Sequence, residues 1–189
     1  MIRIYLAGPE VFCREAHEIG MAKKLLCARF HYQGLFPLDE AVPEAAPDPA
    51  RIHARCVRLM HQAEGGIFNL TPFRGPSADV GTAFELGYMA ALGKPVFAYT
   101  HVLEPLLDRL KGTPGIGFDE AAGTWRDAAG MSVEDFGLAD NLMLDQTLAA
   151  QGRAVHRIAV PEADRFRRLD GFLACLKEAK DALPALARD

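Results

Sequence analysis

Short apolar runs that alternate with longer helical stretches constrain the fold of this chain more than any other feature. The first run, 2–7, is rich in β-branched and aromatic residues and stops at Gly8-Pro9. Strands alternating with helices in this way predict a parallel sheet of the α/β class, with helices on both faces. Strands are predicted at 2–7, 34–38, 65–70, 95–99 and 154–159.

The stretches between these strands carry the start and stop signals of helices. Pro49 suits the first turn of a helix, and Asp79 occupies the position of an N-cap residue. Three prolines within 42–49 predict a loop, and five glycines within 112–130 predict an extended surface loop. Helices are predicted at 14–29, 49–63, 80–92, 102–111, 139–151 and 162–182.

Composition and charge fit one globular domain, 1–189, and disfavour several kinds of partner. The net charge is −4 and no block of Lys and Arg stands out, so duplex nucleic acid is a poor partner. Four cysteines without a CxxC pair are typical of free thiols in a reducing compartment. No run of about 18 apolar residues indicates a membrane span, and the first apolar run is too short for a signal peptide. We therefore expect a cytoplasmic protein with no membrane partner.

Parallel α/β sheets bind ligands beyond the carboxyl ends of their strands, near the switch in strand order. That rule draws attention to the loops 7–12, 37–40 and 69–79, which all follow predicted strands. Gly8 in the first loop would let a ligand approach the backbone closely. The chain contains neither GxGxxG nor a P-loop, so a dinucleotide or triphosphate site has no support.

Two carboxylates flank the start of the helix predicted at 80–92. Asp79 is its N-cap, and Glu85 lies in an otherwise apolar stretch where burial of a charge is costly. A desolvated carboxylate near a second acid suits a nucleophile. The alternative is an ordinary cap followed by a solvent-facing Glu. The hydroxyl of Tyr5 either orients such a carboxylate or belongs to the core.

His53, Cys56 and His61 on one predicted helix are the nearest approach to a metal site. His53 and Cys56 share a face, but His61 turns away from Cys56 and no further ligand is nearby. We therefore expect no bound metal.

Five segments in chain order resemble the nucleoside 2-deoxyribosyltransferase family. Each is weak alone, but the ordered set is specific and spans residues 4 to about 143. The segments are Tyr5 to Phe12, Phe36 to Asp39, Ile67 to Gly75, Asp79 to Gly87, and Glu134 to Gly137 with Asn141 to Met143.

The resemblance implies a flavodoxin-like sheet of about five parallel strands and a double-displacement reaction. Glu85 would attack the anomeric carbon of a 2′-deoxynucleoside, and a second base would then collect the sugar with retained configuration, as in retaining glycosidases. The partners implied are 2′-deoxynucleosides and free nucleobases, and no metal or organic cofactor is implied.

The resemblance also implies roles for individual residues. Tyr5 would orient Glu85, and Asp79 would hold the 5′-hydroxyl of the sugar. On the base side, Phe12 would line the base pocket, with Gly8 close by, and Asp39 would contact the base or protonate it. Asn141 would complete the site of a neighbouring subunit, which implies a homo-oligomer, a dimer or larger.

Two positions depart from the family pattern. Cys56 stands where some members carry an Asp proposed to protonate the leaving base and others an Asn, and Ala41 stands where some carry a Gln that recognises the base. The general acid and the base preference are therefore left open.

Two other functions compete with transfer. One is a hydrolase that cleaves (deoxy)nucleoside 5′-monophosphates, for which Ser77 and Arg74 are the only nearby phosphate ligands. Asp79 would repel a phosphate and therefore favours a free hydroxyl. The other is a nucleoside-binding module without catalysis, supported only by the departures at Cys56 and Ala41.

Overall fold

A computed structural model describes residues 1–39 and 48–183, with eight strands among them. The strands are β1 (Ile2–Ala7), β2 (Tyr32–Leu35), β3 (Gly65–Asn69), β4 (Val96–Thr100), β5 (Gly117–Asp119), β6 (Thr124–Arg126), β7 (Ser132–Val133) and β8 (His156–Arg157). Five of them form a parallel sheet in the order β2-β1-β3-β4-β8. This is the flavodoxin-like order, with its switch between β1 and β3, so the predicted fold is confirmed.

Helices cover both faces of this sheet. Burial of apolar side chains forms one core cluster with α1 and α6 and a second with α2, α3 and α5. The helices are α1 (Ala16–Arg29), α2 (Pro49–Gln62), α3 (Val80–Ala91), α4 (Leu106–Lys111), α5 (Leu142–Ala149) and α6 (Asp170–Ala182).

The alternating direction of side chains along β1 determines which helical layer each side chain packs against. Ile4 and Leu6 belong to the cluster with α1 and α6, whereas Tyr5 and Ala7 belong to the cluster with α2 and α3. Successive Cβ atoms of a strand point to opposite faces, so this division follows from the pleat alone. Tyr5 is thereby directed toward the helix that carries Glu85.

The helix starts expected from the sequence are present. The side chain of Asp48 accepts a 2.9 Å hydrogen bond from the backbone N–H of Ala50, with Pro49 in the first turn of α2. Asp79 caps α3 in the same manner. A cap of this kind contributes about 1 kcal/mol to helix stability.

The prediction of an extended loop over 112–130 was wrong. Strands β5, β6 and β7 form a small antiparallel sheet in this region. Phe118 and Trp125 face each other across β5 and β6, with ring centroids 5.5 Å apart, and Asp119 pairs with Arg126 at 2.8 Å. Glycines suggested only turns, whereas these cross-strand pairs stabilise the strands between the turns.

Several boundaries differ from the predicted ones, most of all at the last helix. It begins at Asp170 rather than at residue 162, and only a short 3-10 turn covers Glu162–Asp164. The ring of His101 hydrogen bonds the carbonyl of Arg165 and accepts from the N–H of Gly171, which diverts the backbone groups that a continuous helix would use.

The fourth helix also starts late, at Leu106 after Pro105, because the residue before a proline is disfavoured in a helix. Most of the predicted loop 42–49 lies outside the described residues. Within residues 1–39 and 48–183, none of the helices has the length and apolar character that crossing a membrane requires.

Candidate active site

Glu85 and Tyr5 form the centre of the candidate site. The hydroxyl of Tyr5, whose side chain is fully buried, donates a 2.6 Å hydrogen bond to Oε1 of Glu85. Glu85 lies one turn from the buried Thr82 and Met89, so it shares the inward face of α3. The solvent-facing alternative for Glu85 is therefore wrong, because the carboxylate faces β1.

The surroundings of Glu85 favour its protonated form. The pKa of its carboxyl is raised to about 7, chiefly by burial and also by the nearby carboxylates of Asp79 and Glu10, while the hydrogen bond from Tyr5 opposes this rise. Burial also raises the pKa of Tyr5 far above its usual range, so Tyr5 stays a neutral donor. A carboxylate that ionises near neutral pH is suited to nucleophilic or acid–base chemistry.

Asp79 lies at the opening of α3. Its Oδ2 accepts hydrogen bonds from the N–H of Thr82 at 2.9 Å and from the Thr82 hydroxyl at 3.1 Å. Both bonds use the same oxygen, which leaves Oδ1 for another donor. Asp79 is thus both the cap of the helix and a second carboxylate beside Glu85.

Cys56 completes the polar surroundings of Glu85 from α2. Its thiol lies beside Tyr5 and Glu85, and burial raises the pKa of the thiol, so Cys56 is a neutral thiol. His53 packs near the ring of Phe84, and His61 bonds the hydroxyl of Tyr88 at 2.9 Å. These three side chains therefore have different partners. No group of three or more metal-ligating side chains occurs in the described part of the chain.

A buried ion pair lies under the first loop. The carboxylate of Glu10 pairs with Lys23 and accepts a 2.9 Å hydrogen bond from Asn69, and all three side chains are buried. A Cβ at Gly8 would lie 2.6 Å from the Cβ of Asn69 and would collide with the carboxylate of Glu10. The absence of a side chain at Gly8 is thus explained by packing, and its contact with a ligand stays a prediction.

This buried network also connects the carboxyl ends of two further strands. Oδ1 of Asn69 accepts from the N–H and the hydroxyl of Thr71, and the Thr71 hydroxyl accepts from the N–H of His101. The sequence offered no signal for it, because nothing in the local pattern marks Lys23 as buried or pairs it with Glu10.

An aromatic cluster with one guanidinium lies at the ends of β1 and β3. The rings of Phe12 and Phe73 stack 5.2 Å apart and 11° from parallel, and Phe166 meets Phe73 edge-on at 6.1 Å. The guanidinium of Arg74 lies 5.2 Å from the centroid of Phe12 and 4.6 Å from that of Phe73. Phe12 itself is 57% exposed, which leaves it available to a ligand.

Asp39 is engaged by protein groups. Its Oδ1 pairs with Lys24 at 2.6 Å, and its Oδ2 accepts from the N–H of Phe36 at 3.2 Å. These contacts hold the turn after β2, and a contact with the base stays a prediction. Ala41 lies outside the described residues.

Asn141 caps α5. Its Oδ1 accepts from the N–H of Met143 at 3.0 Å, and its Nδ2 donates to Glu134 at 2.6 Å. The other oxygen of Glu134 accepts from the N–H of Leu142. Asn141 is exposed, and these bonds fix its orientation at the surface of the chain.

The loop that leads to Asp79 is fixed by a buried carboxylate. Asp140 accepts hydrogen bonds from the Ser77 hydroxyl and the N–H of Ala78, and it pairs with Arg109 at 3.2 Å. Arg109 also donates to the carbonyl of Pro76 at 2.6 Å. The hydroxyl of Ser77 is therefore committed to Asp140.

Comparison with known proteins identifies the family. The family model described as nucleoside 2-deoxyribosyltransferase matches residues 4–143, a span that contains Tyr5, Asp79, Glu85 and Asn141. The chain belongs to the nucleoside 2-deoxyribosyltransferase family. Its expected resemblance is thus confirmed over the stretch that carries the site.

Relatives of this family member support the assignment. A 2-desoxiribosyltransferase from Leishmania mexicana has a similar structure, with a TM-score of 0.61 and 32% identity, over 76% of this chain and 85% of the other. A Schizosaccharomyces pombe protein, C191.05c, described as uncharacterized, is 34% identical over 164 residues, 79% of this chain and 78% of its own. A conserved protein from Enterococcus faecalis, at 20% identity and a TM-score of 0.55, shares the fold over 94% of this chain and 98% of its own.

Proposed function

We propose that this protein transfers 2-deoxyribose between nucleobases by double displacement, with Glu85 as the nucleophile. The observation that carries the proposal is the 2.6 Å hydrogen bond from buried Tyr5 to Oε1 of Glu85. A neutral hydroxyl on one oxygen fixes the carboxylate and leaves Oε2 for attack. The similarity to the Leishmania enzyme supports a sugar-transfer reaction.

In the first step Oε2 of Glu85 attacks the anomeric carbon of a 2′-deoxynucleoside. The bond from that carbon to the base nitrogen breaks, the base leaves with the bonding electrons and takes up a proton, and a deoxyribosyl ester forms. In the second step a nitrogen of another base attacks the same carbon and loses its proton, and Glu85 is released. Two inversions retain the configuration.

Both steps develop oxocarbenium character on the sugar. The 2-deoxy sugar carries no electron-withdrawing 2-hydroxyl, so it tolerates this charge more readily than ribose does. The carboxylates of Glu85 and Asp79 place negative charge beside the sugar, which stabilises a cationic transition state in a site of low dielectric.

Asp79 holds the sugar through its 5′-hydroxyl. Its Oδ1 is not used by the cap, so it accepts from a hydroxyl, whereas a 5′-phosphate would meet the repulsion of the carboxylate. The commitment of Ser77 to Asp140 also removes one donor that a phosphate would need.

Asn141 completes the site of a neighbouring subunit, so the active form is a homo-oligomer. The support is its exposed position and its fixed orientation by Glu134, together with the lack of a hydrogen bond to Tyr5, Asp79 or Glu85 of its own chain. Recycling of deoxynucleosides in the cytoplasm is part of this proposal.

A chromatographic assay with 2′-deoxyinosine and free adenine tests the proposal. Formation of 2′-deoxyadenosine only when adenine is present is the expected result. Release of the free base without transfer would indicate a hydrolase instead. This conclusion would be strongest if the base were released from a deoxynucleoside monophosphate supplied in place of 2′-deoxyinosine. Binding of deoxynucleosides without turnover of any purine or pyrimidine donor would indicate a binding module.

A further inference from the structure

The aromatic cluster formed by Phe12, Phe73, Arg74 and Phe166 contains one cation, the guanidinium of Arg74. In the part of the chain that the structure describes, no carboxylate pairs with Arg74 and no acceptor bonds its guanidinium. Its contacts there are the faces of Phe12 and Phe73. All five N–H donors of the guanidinium are therefore available to a ligand.

The backbone presents Arg74 in a defined place. Its φ is 56°, in the left-handed region that is unfavourable for a residue with a Cβ. The N–H of Phe73 donates to the carbonyl of Ser77 at 3.0 Å, which closes the loop around Arg74. A side chain held in an unfavourable conformation at the tip of a closed loop is a mark of function.

The surroundings of Arg74 select a flat ligand. Phe12 and Phe73 are stacked, and more than half of Phe12 is exposed, so a planar heterocycle can extend the stack. The loops that carry Phe12 and Phe73 follow β1 and β3, the two strands at the switch in strand order, and Tyr5 lies on β1 while Glu85 lies on the helix that follows β3. The cluster therefore lies at the carboxyl edge of the sheet, where folds with this strand order bind their ligands.

We propose that Arg74 reads the base, and that it selects 6-oxopurines, guanine and hypoxanthine, over adenine. A guanidinium fork donates two hydrogen bonds to the O6 and N7 acceptors of a 6-oxopurine. Adenine offers N7 but presents an amino donor at position 6, which cannot accept from Arg74. This inference rests on the proposed function, and it names the class of base that the transferase prefers.

A competition between two acceptors tests the assignment. The enzyme receives one deoxynucleoside donor, thymidine or deoxycytidine, with equal concentrations of hypoxanthine and adenine, and the ratio of 2′-deoxyinosine to 2′-deoxyadenosine is measured. Because both products arise from the same sugar–enzyme intermediate, effects on the first step cancel. The wild type is expected to favour deoxyinosine.

Two variants of Arg74 and one control complete the test. Arg74→Lys keeps the positive charge but loses the paired N–H donors of the guanidinium, and Arg74→Met loses both. Each variant is expected to lower the ratio of 2′-deoxyinosine to 2′-deoxyadenosine about tenfold. Arg29→Lys, an exposed arginine at the far end of α1, is the matched control and should leave the ratio unchanged. An unchanged ratio in both Arg74 variants would overturn the inference.

The same variants separate failure of the inference from failure of the proposed function. If the wild type transfers no sugar, calorimetric titration with hypoxanthine and with adenine still tests base selection. Weaker hypoxanthine binding in Arg74→Lys, with adenine binding unchanged, would support it. Loss of deoxynucleoside monophosphate binding, with both bases bound as before, would make Arg74 a phosphate ligand and overturn it.

Discussion

The hydroxyl of Tyr5 donates a 2.6 Å hydrogen bond to Oε1 of Glu85, so the first strand of the sheet orients a carboxylate on α3. The two residues are 80 positions apart in the sequence. The hydrogen bond lowers the pKa of Glu85, in opposition to burial and to the neighbouring carboxylates, which raise it. The pH dependence of the enzyme should therefore report on this contact.

Tyr5→Phe should move the acid limb of the pH profile upward. Wild-type kcat/KM is expected to rise with pH through about 7, where Glu85 ionises. Without the hydroxyl, the pKa of Glu85 increases and the limb moves to higher pH. Profiles of kcat/KM measured from about pH 5 to about pH 9 check this. Identical limbs in the two proteins would show that Tyr5 does not act on Glu85.

Asp79→Asn should have the opposite effect on the same limb. It removes a negative charge that raises the pKa of Glu85, so the limb moves to lower pH. Asn caps helices as well as Asp does, so the free energy of unfolding should change by less than about 0.5 kcal/mol.

A 2′,5′-dideoxynucleoside tests the contact of Asp79 with the sugar. Wild-type kcat/KM should fall on the order of tenfold with this substrate, because a hydrogen bond to a charged group is lost. In Asp79→Asn, the values of kcat/KM for the 2′-deoxynucleoside and the 2′,5′-dideoxynucleoside should differ much less. An equal loss in both proteins would assign the 5′-hydroxyl to another residue.

Glu85→Gln should stabilise the protein at alkaline pH. The folded-state pKa of Glu85 is raised from 4.5 to about 7, so its favourable contribution is complete below pH 4.5 and is lost as pH rises through about 7. At higher pH the folded protein holds an ionised, half-buried carboxylate, and the variant should gain on the order of 2 kcal/mol.

Urea unfolding of the wild type and of Glu85→Gln at several pH values measures this gain. The difference between their free energies of unfolding should open between pH 4.5 and pH 7 and then stay level. A difference that is the same at all pH values would mean that burial does not perturb Glu85.

Asn141→Ala and Glu85→Ala should each be inactive, and a mixture of the two should regain activity. After subunit exchange in a dimer, about a quarter of the sites combine natural Glu85 from one chain with natural Asn141 from the other. A mixture of Glu85→Ala with Asp79→Ala is the matched control, because both residues come from one chain and no site is restored.

The cap at α5 requires a separate control for Asn141. Asn141→Ser keeps an oxygen that accepts from the N–H of Met143, but it removes the amide, so it should remain folded and inactive. Equal recovery in both mixtures, or full activity in a stable monomer of the wild type, would refute the shared site.

Features that depend on local sequence patterns were predicted from the sequence. The strands at 2–7 and 65–70, Pro49 in the first turn of α2 and the cap at Asp79 follow from apolar runs and turn residues, whereas the flavodoxin-like sheet was implied by the family resemblance. The pairing of Tyr5 with Glu85 was predicted from the family resemblance, because residue spacing alone did not decide whether Glu85 is buried or faces solvent.

Features that depend on contacts between distant segments were missed. The pair of Glu10 with Lys23 and the late start of α6 both arise from tertiary partners, His101 among them for the helix. The strands β5 to β7 are short and rich in glycine at their ends, so their pairing is decided by Trp125 and Phe118 rather than by pattern.

Mass spectrometry of the protein incubated with a deoxynucleoside and no acceptor base tests the central claim most directly. A deoxyribosyl group on the peptide that contains Glu85, removed when a free base is added and absent in Glu85→Ala, is the predicted result. Release of the base from the donor with Glu85 unmodified, and the same release by Glu85→Ala, would contradict a covalent role for this carboxylate.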